Sequence, residues 1–390
     1  MTSCRHLDPA ALSLPLFWPI AAASAMLEAE LDATARNLEF LAEEAKIDHI
    51  PKPTFATPST VRLDLRTMVL LDYGEAGARG VPTLVDAPYA GHSAVIADYA
   101  DGQSLVQTLK ANGVARVLLT DWKSATPDMK DLEVDQYLAE INVCVDDLGG
   151  RVNLVGLCQG GWMSAMFAAR FPEKVVSLVI AGAPIDADAG DGPIKEMAKA
   201  YPMSLYEDLV AQGDGLMLGR FMLAGWKGMH PDVQYVQKHI DLYEHIHDPE
   251  YLKKTELFES WYENPLDLPG RWYLQVIKSI FKQNQFAKGE FVGLGRTLDL
   301  KAVTCPVYLL AGESDDITPR EQVFAAESLL GSLPTQIVKR LTPGGHIGLF
   351  MGSSTLRDVW PDIARWITSV CSTENSPPAI ARDVAKPEPG

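Results

Sequence analysis

Residues 152–161 read Val152-Asn153-Leu154-Val155-Gly156-Leu157-Cys158-Gln159-Gly160-Gly161. The apolar, partly β-branched run at 152–155 has the composition of a buried strand. The segment Trp162–Phe171 that follows is compatible with a helix. Between them, Gly156 and Gly160 flank Cys158 at two residues on either side, the spacing of a G-x-S-x-G strand-to-helix turn with Cys in the Ser position. Small residues there let the backbone pass close by while the nucleophile is presented at the top of a strand. The helix behind it supplies backbone N–H donors and positive potential that favour a thiolate.

On either side of this turn, strand-like and helix-like segments alternate. Arg62–Asp72 alternates like a strand, and Thr83–Ala87 is a short apolar strand leading into Pro88-Tyr89-Ala90-Gly91-His92. Ser104–Asn112 suits a helix, Ala115–Thr120 a buried strand, Val134–Leu148 an amphipathic helix and Lys174–Ala181 another strand. After a long interruption, strand character returns at Pro306–Ala311 and Gln336–Leu341, and a closing helix is expected at Thr355–Val370. Strands alternating with helices predict a mostly parallel, doubly wound sheet. The interruption, residues 185–300, is helical in pattern and rich in Met and aromatic side chains, which reads as a lid over the strand ends. The expected organisation is an N-terminal helical extension (1–60), a core (61–184 and 301–371), the lid insertion (185–300) and a disordered Pro-containing tail (372–390).

Composition narrows the function classes. A formal charge of −17 disfavours nucleic acid and anionic membrane surfaces. Five cysteines are few, odd in number and scattered, so a reducing, cytoplasmic compartment is expected rather than a disulfide framework. Ala10–Ala25 has some signal-peptide character, but Pro15, Pro19 and Asp8 oppose it. No stretch approaches the ~20 uninterrupted apolar residues of a membrane-spanning helix. Asp186-x-Asp188-x-x-Asp191 lacks the Glu at position twelve that a calcium loop needs, and His245-x-His247 faces apart on a helix, so no metal is expected. Oligomeric state is left open.

The partners of Cys158 follow from chain order. The carboxylate should come after a late strand and the histidine after the last one. Pro306–Ala311 opens into Gly312-Glu313-Ser314-Asp315-Asp316, which makes Asp315 the expected acid, with Asp316 as the adjacent alternative. His346, in Pro343-Gly344-Gly345-His346-Ile347-Gly348, is the expected base. Backbone N–H groups of Gln159 and Tyr89 are the expected oxyanion donors, and His92 and Asp316 are possible supporting residues. Nucleophile, acid and histidine in this order define an α/β-hydrolase fold working through a covalent acyl-enzyme, which needs no cofactor.

With these residues in hand, the chain resembles the intracellular poly(3-hydroxybutyrate) depolymerases and, beyond them, the polyhydroxyalkanoate synthases. The resemblance runs from about Arg62 to Ile367. It rests on Ala87–His92, Thr120-Asp121-Trp122, Cys158-Gln159, Asp267-Leu268-Pro269, Trp272–Gln275, Gly312–Ile317 and Gly345–Gly352. It implies a thiol nucleophile at Cys158 with Asp315 and His346, acting on an apolar polyester or acyl substrate, with a storage-granule surface as an expected partner. The leading expectation is hydrolysis of polyester bonds. Gly160-Gly161 after Cys-Gln is synthase-like, so transfer from a hydroxyacyl-CoA is the alternative. A non-catalytic granule-binding protein is a further one.

Overall fold

The computed structural model describes residues 50–374 apart from 76, 90 and 230–236. The possible signal segment Ala10–Ala25 and nearly all of the expected N-terminal extension lie outside the described residues. Eight strands form one sheet: β1 (Thr60–Asp64), β2 (Met68–Asp72), β3 (Thr83–Asp86), β4 (Val117–Trp122), β5 (Val152–Leu157), β6 (Val175–Ala181), β7 (Val307–Gly312) and β8 (Ile337–Thr342). Their spatial order is β1-β2-β4-β3-β5-β6-β7-β8. β1 pairs antiparallel with β2, and β2 antiparallel with β4. The remaining pairs are parallel. This is the doubly wound arrangement of an α/β-hydrolase fold.

The residues of the central strands explain their depth. β3, β5, β6 and β7 are buried at every position, as expected for strands covered by helices on both faces. Helices α1 (Leu105–Ala111), α2 (Val134–Asp147) and α3 (Gln159–Arg170) connect successive strands. Ser104 caps α1 by accepting from the Gln107 N–H. Among the described residues no helix is long and apolar enough to cross a membrane.

Two readings need adjustment. Arg62–Asp72 is two strands rather than one, because the chain turns at Leu65–Thr67. Glu140 on α2 holds that turn by accepting from the Thr67 N–H and hydroxyl. The closing helix, Trp360–Glu374, runs past Val370 and takes in Ser372–Glu374; the rest of the expected tail, 375–390, lies outside the described residues.

Between β6 and β7 the chain forms α4 (Pro193–Ala200), α5 (Met203–Gln212), α6 (Gly219–Met229), α7 (Lys238–Glu244), α8 (Pro249–Tyr262) and α9 (Gly270–Gln275). α9 continues as a wider π-type turn over Val276–Lys282. Among the described residues none of this segment joins the eight-stranded sheet.

Candidate active site

Parallel pairing brings the site together at the carboxyl ends of the strands. Asp86 at the end of β3 lies beside Gly156 of β5, which sets the Pro88–His92 loop against the Cys158 turn. Gly312 lies beside Thr342, so the loops after β7 and β8, carrying Asp315 and His346, emerge side by side.

Cys158 caps the N-terminus of α3 with φ 51° and ψ −118°. A side chain at positive φ is uncommon and marks a backbone held by its surroundings. The surrounding glycines allow it. A Cβ on Gly160 would lie 2.1 Å from the Asp86 carbonyl oxygen, and one on Gly156 would lie 2.4 Å from the Gly161 Cα.

The three expected residues converge. His346 Nδ1 bonds Asp315 Oδ2 at 2.8 Å. Asp315 Oδ1 accepts from the backbone N–H of Ile317 (3.1 Å) and Thr318 (2.8 Å), which fixes the carboxylate with Oδ2 toward the imidazole. The adjacent Asp316 does not take this position, and lines a cavity instead. His346 Nε2 is buried and has no partner of regular hydrogen-bond geometry. Burial alone would depress this imidazole. The charges of Cys158 and Asp315, and hydrogen bonding toward both, outweigh it and hold His346 well above its ordinary value. His346 Nε2 thus faces Cys158 without an aligned hydrogen bond. Such contacts tighten when substrate binds.

The two expected oxyanion donors stand in different surroundings. Gln159 N–H stands at the first position of α3, where the helix provides no partner. Tyr89 N–H, expected to be an open donor, instead donates to Gln159 Oε1 at 2.6 Å. The Gln159 side chain folds back over the loop, with its Nε2 directed to Met163 Sδ at 2.9 Å. The Tyr89 ring is fully buried against Trp122, Tyr137 and Trp272, so the loop is anchored from below.

His92 lines the same cavity as His346, but its own ring is engaged elsewhere. Its Nε2 bonds the Tyr262 carbonyl at 2.9 Å, and its ring packs on Trp261 and Tyr262. Burial pushes its pKa down to about 4, leaving it neutral at pH 7.

Two cavities meet at Cys158. One, of about 250 Å³, is almost wholly apolar and reaches among α4, α5, α6 and α9, with Met197, Leu209, Phe221, Met222, Tyr273 and Phe281 in its wall. The other, of about 350 Å³, is lined by Pro88, His92, Phe258, Tyr262 and His346. Cys158, Trp226, Met229 and Ile317 border both.

The sequence reading missed two groups here. Trp226 is one aromatic among many in the insertion, with no local signal to single it out. Asp86 was passed over, although a carboxylate closing an apolar strand was a visible signal. Asp86 is fully buried beneath the turn, accepting from Thr120 and Ser164 hydroxyls, and burial raises it to about 7. Among the described residues no cluster of three or more metal-ligating side chains occurs.

Sheet order, strained cysteine turn and Asp–His pair define an enzyme of the α/β-hydrolase fold. A monoacylglycerol lipase from Paleococcus ferrophilus has the same fold, with a TM-score of 0.51 at 17% identity over 78% of this chain and 100% of the lipase. More specific is the match to the poly(3-hydroxyalkanoate) polymerase subunit PhaC of Allochromatium vinosum, 30% identical over 74% of this chain and 79% of that protein. The PhaC subunit of Haloferax mediterranei is 30% identical over 76% of this chain, which spans only 60% of that longer relative. The chain belongs to the poly(3-hydroxyalkanoate) polymerase family.

A family model described as the C-terminus of PHB de-polymerase also matches, at residues 182–371. That match begins after Cys158 and so carries no information on the nucleophile turn. The polymerase relatives, matched over about three quarters of the chain, overturn the expectation that the chain is a polyester hydrolase.

Proposed function

We propose that this chain transfers a hydroxyacyl group from a thioester, such as a hydroxyacyl-CoA, to the hydroxyl end of a growing polyester. The observation that carries the reading is the similarity to polymerase subunits over three quarters of the chain. The two cavities meeting at Cys158 support it, since acyl transfer needs a donor and an acceptor near one sulfur.

In this mechanism His346 takes the Cys158 proton, and the sulfur attacks the thioester carbonyl carbon. Collapse of the tetrahedral intermediate breaks the carbon–sulfur bond of the donor, whose thiolate leaves with the proton from His346. The acyl group is then a thioester of Cys158. A chain-end hydroxyl, deprotonated by His346, attacks that carbonyl, forms the new ester and releases Cys158. Asp315 holds the His346 tautomer and stabilises the imidazolium. Gln159 N–H stabilises the oxyanion in both halves. Helices α4–α9 serve as a lid that keeps water from the acyl-enzyme.

Incubation with 3-hydroxybutyryl-CoA tests the proposal. Thiol release with growth of an ester polymer is expected. Thiol release matched by free hydroxy acid, or no release at all, would overturn it. Binding to polymer granules that is unchanged in Cys158→Ala, without thiol release, would favour a non-catalytic role.

A further inference from the structure

Three backbone donors just after β3, those of Ala87, Tyr89 and Gly91, are engaged. Ala87 N–H donates to the Thr120 hydroxyl at 3.0 Å. Pro88 has no N–H, and Gly91 N–H donates to the Tyr89 carbonyl at 2.9 Å. Tyr89 N–H is the one whose acceptor is a side chain with rotatable bonds and a wall of its own on the apolar cavity, Gln159. The acceptor atom is itself an sp² amide oxygen, the electronic equivalent of a substrate carbonyl. Its carrier is the residue directly after the nucleophile. Among the described residues, the other end of that amide is held by the Met163 thioether, a weak acceptor that releases it at little cost.

We propose that the Gln159 carboxamide is an internal occupant of the oxyanion pocket: Oε1 holds Tyr89 N–H in the free enzyme and is displaced by the carbonyl oxygen of the incoming acyl donor. This rests on the acyl-transfer reading above. When the Cys158 sulfur attacks, the carbonyl π pair moves onto oxygen, and that oxyanion accepts from both Gln159 N–H and Tyr89 N–H. Collapse of the intermediate returns the pair to the carbonyl and expels the leaving group. As the acyl group departs, Gln159 swings back and the buried Tyr89 N–H is never left unpaired, which would be costly in an apolar wall. The side chain thus acts as a positioning residue that competes with substrate, so its removal speeds acylation rather than slowing it.

The test is the burst of p-nitrophenolate that accompanies acylation of Cys158 by p-nitrophenyl butyrate, a probe that reports the first half-reaction whatever the acceptor. Gln159→Ala and the similarly long, apolar Gln159→Met are expected to raise the acylation rate constant per unit substrate threefold or more, chiefly through tighter apparent binding. Gln159→Glu, whose carboxylate grips Tyr89 N–H harder and repels the oxyanion, is expected to lower it. Hydrogen exchange at the Tyr89 amide should be slow in the wild type and faster in Gln159→Ala. A clear wild-type burst with Ala and Met variants both slower would show that Gln159 merely supports the loop, and would overturn the proposal while leaving acyl transfer intact. A wild type that gives no burst and no thiol release from 3-hydroxybutyryl-CoA would overturn both.

Discussion

Asp315 meets His346 with one oxygen and the backbone with the other, and its side chain has no exposed surface. The carboxylate therefore cannot rotate to offer Oδ1 to the imidazole without abandoning two N–H donors. Its function is orientation as much as charge.

Asp315→Asn should retain the fold and lose activity. The amide oxygen takes the Oδ1 position, where two N–H groups demand an acceptor, so the NH₂ points at His346 Nδ1. The imidazole is then forced into the tautomer that cannot accept the Cys158 proton. Thiol release should fall by about 10³- to 10⁴-fold with an unchanged melting midpoint within a few degrees. A loss below tenfold would contradict the assignment.

Cys158 should be the thiol that alkylates first. Iodoacetamide is expected to label it before Cys144, which is buried and pushed up to about 12, and before Cys305 and Cys371. His346→Ala removes the proton acceptor and should slow labelling of Cys158 while leaving the others alone. Peptide mapping of the labelled sites checks both points. Cys158→Ala should abolish acyl-enzyme formation, and Cys158→Ser should keep only a trace.

Trp226 borders both cavities, with its indole N–H buried and, among the described residues, without a hydrogen-bond partner. Trp226→Ala should merge the two spaces and admit water to the acyl-enzyme. The fraction of thiol release that ends as free hydroxy acid, rather than polymer, is expected to rise several-fold. No change in that partition would mean that Trp226 does not separate donor from acceptor.

Asp86 predicts a pH dependence of stability. Its folded pKa, about 7, lies above its ordinary value of 3.8 because burial disfavours the carboxylate. The folded chain therefore holds the proton more tightly. The stabilisation is complete below about pH 3.8 and is lost as the pH rises through about 7, by roughly 4 kcal/mol at most. Asp86→Asn cannot ionise, so its stability relative to wild type should increase between pH 4 and 8. Denaturation midpoints at both pH values measure this. A constant difference would show that Asp86 titrates normally.

The parts of this protein readable in its sequence are those in which a local pattern carries the geometry. Gly156, Cys158 and Gly160 specify a tight strand-to-helix turn by spacing alone. Asp315 and His346 stand just beyond strands whose apolar runs are unmistakable. The turn at Leu65–Thr67 was hidden because its acceptor, Glu140, lies on a helix more than seventy residues away. Tyr89 was judged from its place in the loop, and nothing local indicates that a glutamine seventy residues on has claimed its N–H. The activity was the least legible, because the same triad serves water and hydroxyl acceptors alike. Gly161 pointed toward the polymerases, but the acceptor is selected by the space around the sulfur, to which side chains from α6 and α9 contribute.

The tight packing under the turn has a consequence for how this chain can change. Positions 156, 160 and 161 are closed to any side chain, since even a methyl group would have to occupy space held by backbone or by the Ala183 side chain. A saturation library should return almost nothing but glycine at those three positions. Leu157 and Gln159, interleaved with them, have side chains that already occupy defined space. The turn is therefore a rigid frame with a few replaceable inserts. Variants that alter what the sulfur does should accumulate at the inserts and in the surrounding helices, while the frame itself stays fixed.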